Sequence, residues 1–109
     1  MDFSLTQIQT LGRIQDAGFS FIVFPMYANY VGVRRGDCAC LLAPVGQSTF
    51  RIFGEPCWLL AGNLSVLVRR KRRSHFVWKK QSLEATTERR AELRAFTESL
   101  EPILHTKSS

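Results

Sequence analysis

Carboxylates are scarce in the middle of this 109-residue chain, and none occurs in the 28 residues between Glu55 and Glu84. From residue 18 to 83 only Asp37 and Glu55 are acidic, and both sit at turn signals. Histidine is almost missing too, with only His75 and His105. General acid–base catalysis draws on such groups, so an enzyme is the less favoured class. The chain has no glycine-rich phosphate loop and no catalytic triad, and no cofactor is expected. Three cysteines are odd in number and too few for a disulfide scaffold. Cys38 and Cys40 lie two apart on an expected strand and share a face. Cys57 and His75 could complete a Cys₃His set, but zinc knuckles hold paired cysteines on tight turns. Buried reduced thiols are the favoured reading, and no metal is expected.

Long apolar runs are also missing. The uncharged stretch between Asp16 and Arg34 is interrupted by Gly18, Pro25, Asn29 and Gly32. It falls short of the ~20 apolar residues of a membrane-spanning helix and reads as two strands. The start, Met1-Asp2-Phe3-Ser4, lacks the basic region of a secretion signal. A cytoplasmic location with reduced thiols is the expectation. With 45% hydrophobic residues the composition suits a folded chain rather than a disordered one. The length suits a single domain, residues 1–109.

What is present is an ordered set of local signals. Ser4 with Gln7 forms a capping-box pattern, and Phe3 with Ile8 a hydrophobic staple. Leu5, Ile8, Leu11 and Ile14 form an apolar stripe, and Gly18 suits the residue just past a helix end. The spacing predicts a helix over 4–17. Seven strand-forming runs follow within 19–80, at 19–26, 30–35, 38–43, 49–53, 57–61, 64–70 and 74–80, some able to merge across a bulge. Their connections are too short for parallel crossovers, so neighbours pair as antiparallel hairpins. Arg35-Gly36-Asp37 reads as one of these turns. Thr86 or Thr87 caps a second helix over 86–104 with Leu93, Phe96, Leu100, Ile103 and Leu104 on one face. Pro102 is expected to disturb its last turn. Residues 105–109 read as a mobile tail.

The expected fold class is α+β: an N-terminal helix, a strongly bent antiparallel sheet or small barrel of about six to seven strands, and a C-terminal helix packed on it. Many strands carry apolar residues on both faces, as Phe19, Phe21 and Val23 alternate with Ile22, Phe24 and Met26. Helices, a second sheet or a partner subunit must cover both faces. Over 19–104 this strand-and-helix order resembles the pleckstrin-homology superfold in topology alone. No functional residue is matched, and the last helix lacks the tryptophan usual there.

Charge is the strongest asymmetry. Residues 34–80 carry ten cations and two acids, and the whole chain is +6. Five consecutive cations, Arg69, Arg70, Lys71, Arg72 and Arg73, fall at an expected hairpin tip. A short loop there pairs Arg69 with Ser74 and Leu67 with Phe76. One face then carries Ser65, Leu67, Arg69, Phe76, Trp78 and Lys80. Aromatics between cations can stack bases and follow phosphates. The candidate polyanion-binding residues are therefore Arg69–Arg73, Trp78 and Lys80, with nucleic acid the leading partner. The plainer reading is a solvated tip that discourages aggregation, with Phe76 and Trp78 in the core. A homodimer that buries the two-faced strands is the alternative function, and a small-ligand pocket is a third.

Overall fold

A computed structural model describes residues 3–105. Helix α1 spans Leu5–Asp16. The capping box is formed: the Gln7 amide donates to Ser4 Oγ at 3.1 Å, and the Ser4 amide donates to Gln7 Oε1 at 3.0 Å. At the other end Gly18 takes φ 96°. Its amide donates to the Gln15 carbonyl at 3.0 Å, and the Phe19 amide donates to the Ile14 carbonyl at 3.3 Å. Those two bonds make a Schellman closure.

The buried face of α1 differs from the expected stripe. Leu5 and Ile8 are 72% and 54% exposed, while Gln7, Thr10 and Ile14 are buried. The staple is not what Phe3 serves; its ring packs edge-on against Phe50 at 5.4 Å. The cause is Gln7, whose Nε2 donates to the carbonyls of Gly46 at 3.0 Å and Thr49 at 3.2 Å.

Eight strands follow: β1 Ser20–Ile22, β2 Val31–Arg35, β3 Cys38–Val45, β4 Thr49–Leu60, β5 Asn63–Leu64, β6 Val66–Arg70, β7 Arg73–Trp78 and β8 Gln81–Glu84. The first five form an antiparallel sheet in chain order, and β6–β7–β8 form a second. The runs expected at 49–53 and 57–61 merge into β4. Opposite Cys40, the register between Ala39↔Cys57 and Leu41↔Phe53 accommodates Gly54, Glu55 and Pro56 as a bulge. Gly54 takes φ 71° there, and Pro56 has no N–H to lose from the ladder. The bulge bends β4 and curls the first sheet into a half-barrel. The run expected at 19–26 is shorter than read: Pro25–Tyr27 form a 3₁₀ turn. β8 is an additional strand, and Lys79 and Lys80 form the turn that precedes it.

Alternation along β3 separates two cores. Cys38, Cys40 and Leu42 join Ile14, Phe50, Phe76, Phe96 and Leu100 on one side, under both helices and the second sheet. Ala39 and Leu41 join Phe24 and Leu59 on the other, where Tyr30 packs against them. Each face thus has a core within the chain, while Phe21, Val23 and Met26, which the sequence placed on these faces, stay exposed. Gly32 is where this cover lies closest: a Cβ there would meet the Ile22 carbonyl and the Phe24 ring.

Helix α2 spans Thr87–Leu104, with Thr86 as its cap, and buries Phe96, Leu100 and Leu104. Pro102 does not end the helix. Burial of Leu104 holds the last turn, and its carbonyl accepts from Thr49 Oγ1 at 2.7 Å. His105 closes the helix; the rest of the expected mobile tail lies outside the described residues. No helix among the described residues is long and apolar enough to cross a membrane.

Candidate functional site: an arginine-lined hollow

The hairpin of β6 and β7 has the register read from the sequence, with Arg69↔Ser74 and Leu67↔Phe76. Its loop is Lys71-Arg72, and Lys71 takes φ 56°. A lysine in this left-handed region is strained where glycine or asparagine would be at ease. All five side chains from Arg69 to Arg73 are exposed.

The aromatic part of the expected face turns inward. Phe76 is 2% exposed and stacks on Trp58 at 5.9 Å between ring centroids. Trp78 is half-buried, packs against the main core and carries the Lys79 ammonium 5.3 Å over its ring. Lys80 is exposed, but it sits in the turn rather than on the strand face where the sequence reading placed it. The cations therefore cluster at the tip, while the aromatics lie toward the base.

β8 and the start of α2 complete the site from the other side. Arg69, Arg72 and Arg73 join Ser74, Glu84, Thr86, Thr87 and Arg90 around an open hollow of about 340 Å³. Arg73 pairs with Glu84 at 3.1 Å, both groups well exposed. Arg89 donates to the Glu84 carbonyl at 2.8 Å and so holds the strand end against the helix. The first turn of α2 opens onto the hollow. Thr86 Oγ1 accepts the Arg89 amide there at 3.2 Å, and the positive end of the helix adds to the arginines. Among the described residues, Arg69, Arg72 and Arg90 make no ion pair.

The sequence reading did not include Arg90 or Glu84. A local signal was present: Arg89 and Arg90 stand in the first turn of a helix, where a cation opposes the macrodipole. The chemistry available is planar, permanently charged donors around an open, polar-lined hollow, which suits phosphate oxygens.

The thiols lie elsewhere. Cys38, Cys40 and Cys57 are free and buried. Register places Cys57 opposite Ala39, on the other face of the sheet from Cys38 and Cys40. Burial pushes the Cys38 thiol up to about 11 and the Cys40 thiol up to about 12, and raises that of Cys57. Among the described residues, no three groups of metal-binding type come together.

Comparison with known proteins finds no family model, curated protein or solved structure that matches this chain. The topological resemblance to the pleckstrin-homology superfold gains no support from it.

Proposed function

We propose that this chain is a non-enzymatic binding domain that takes the phosphate backbone of nucleic acid at its basic hairpin. The observation that carries the reading is the hollow lined by Arg69, Arg72, Arg73 and Arg90 at the start of α2. Three of these arginines lack a carboxylate partner among the described residues, and the one acid present is already paired. Clustered unpaired arginines repel one another, and an anion relieves that repulsion while releasing its condensed counterions. Recognition by this surface follows the backbone rather than base edges. The half-buried Trp78 serves chiefly to hold the base of the hairpin, with its exposed part beside Lys79. Free buried thiols suit a reducing, cytoplasmic setting.

The direct experiment is a titration of the protein with a labelled DNA strand, single and duplex, at several salt concentrations. The reading expects binding at low salt that weakens linearly on a log–log plot. Protein that ignores both forms at low salt removes it.

A homodimer is the second reading. Val23 and Met26 are 81% and 75% exposed beside β1, which pairs only with β2. Two copies could join along that free edge. A solution mass equal to one chain at all concentrations would exclude this.

A further inference from the structure

The two sheets part company along one seam. β4 and β5 pair only at Leu59↔Leu64 and Leu60↔Asn63. Beyond that point Ser65 Oγ donates to the Trp58 carbonyl, and the chain turns away into β6. Among the described residues β6 then pairs with β7 alone, which leaves its other edge free. The two-residue loop makes Arg70–Arg73 a hydrogen-bonded pair, so by alternation Val68–His75 and Val66–Val77 are bonded pairs too. The main-chain N–H and C=O of Leu67 and Arg69 therefore point out of the sheet, along the open edge.

That edge borders a slot. A hollow of about 420 Å³ lies on one side of the seam and one of about 180 Å³ on the other. Glu55, Cys57, Ser65 and Val66 line both, so the two hollows flank one gap. The larger has Pro56, Phe76 and Leu93 in its wall and Arg90 and Arg94 on the α2 side. Val66 and Leu67 are 64% and 49% exposed, so the first half of this edge is apolar, and its charges, Arg69 and Arg70, stand only at the hairpin end. Among the described residues, neither Arg90 nor Arg94 makes an ion pair.

We propose that this slot receives an extended acidic segment of a partner protein, added as a strand along the free edge of β6. Main-chain pairing to Leu67 and Arg69 supplies affinity, and alternate side chains supply selectivity. Apolar side chains on one face of the added strand enter the smaller hollow, against Tyr27, Phe53 and Leu64; the alternate carboxylates face the larger one and meet Arg90 and Arg94. A second copy is the poorer occupant, because this chain is itself +6. The proposal does not rest on nucleic-acid binding, although Arg69 and Arg90 belong to both sites.

The test titrates the full-length chain with a hexapeptide of alternating valine and glutamate, and with its valine–lysine counterpart, each one residue longer than β6. The acidic peptide should slow amide exchange at Leu67 and Arg69, and the basic one should not. Leu67→Pro removes an outward N–H and should weaken the acidic peptide by roughly tenfold. Arg94→Glu should weaken it as well, and serves alone if Leu67→Pro does not fold. Arg72→Ser, in the arginine hollow, should leave it unchanged. Equal binding of both peptides, or no protection at Leu67 and Arg69 at saturation, overturns the proposal. So does loss of binding in Arg72→Ser with Arg94→Glu unaffected.

Discussion

Arg73 and Glu84 face each other across the β7–β8 edge at 3.1 Å, and among the described residues Glu84 is the only carboxylate in the wall of the arginine hollow. The pair is exposed, so its own contribution to stability is small, about 0–1 kcal/mol. Its main consequence is electrostatic: it cancels one cation where an anion is to bind.

Glu84→Gln should therefore tighten nucleic-acid binding at low salt. It frees Arg73 for one more phosphate contact, which steepens the salt slope by ~0.9 on duplex or ~0.7 on a single strand. The melting temperature should hardly move. Unchanged affinity in Glu84→Gln would show that Arg73 takes no part.

Gln7 should matter more than either apolar residue on the exposed side of α1. Gln7→Leu leaves the carbonyls of Gly46 and Thr49 without their donor and should cost about 1–3 kcal/mol. Leu5→Gln and Ile8→Gln, at exposed positions, should each stay within ~0.5 kcal/mol. Urea titrations of the three variants check the order. The reverse ranking would mean that Leu5 and Ile8 face the core.

This helix shows what a sequence can and cannot disclose. Its ends were legible because Ser4, Gln7 and Gly18 act within a few residues of one another. The hairpin register was legible for the same reason, since a two-residue loop sets it. The buried face of α1 was not, because the acceptors of Gln7 lie 39 and 42 residues further on. β8 escaped notice because Gln81–Glu84 is short and has only Leu83 as an apolar residue. Half of the hollow was invisible on similar grounds: Arg69 and Arg90 meet only once β7 and β8 bring the hairpin to α2. Phe76 and Trp78 alternate correctly with the cations, yet alternation does not say which face turns inward.

The thiols give a pH dependence of definite sign. Burial disfavours the thiolate, so Cys38 and Cys40 titrate at about 11 and about 12 rather than at the ordinary 9.0. An acid whose folded pKa is raised contributes stability below its unfolded value and loses it as pH climbs toward the folded one. Their contribution should hold up to about pH 9 and fall between pH 9 and 12. Unfolding midpoints compared with those of a Cys38→Ala, Cys40→Ala variant isolate this part of the decline. Alkylation at neutral pH should be slow in the folded protein and fast in denaturant. Rapid labelling of the folded chain would contradict the buried placement.

The most direct test of the binding account is the salt slope of a variant that carries Arg69→Ser, Arg72→Ser and Arg90→Ser together. These exposed side chains make no ion pair among the described residues, so the variant should melt close to the parent. If they hold phosphates, affinity for DNA at low salt should fall, and the slope should flatten by about two to three units on duplex. A parent protein that binds with a steep slope, and a variant whose slope and affinity are the same, would contradict the assignment of this hollow.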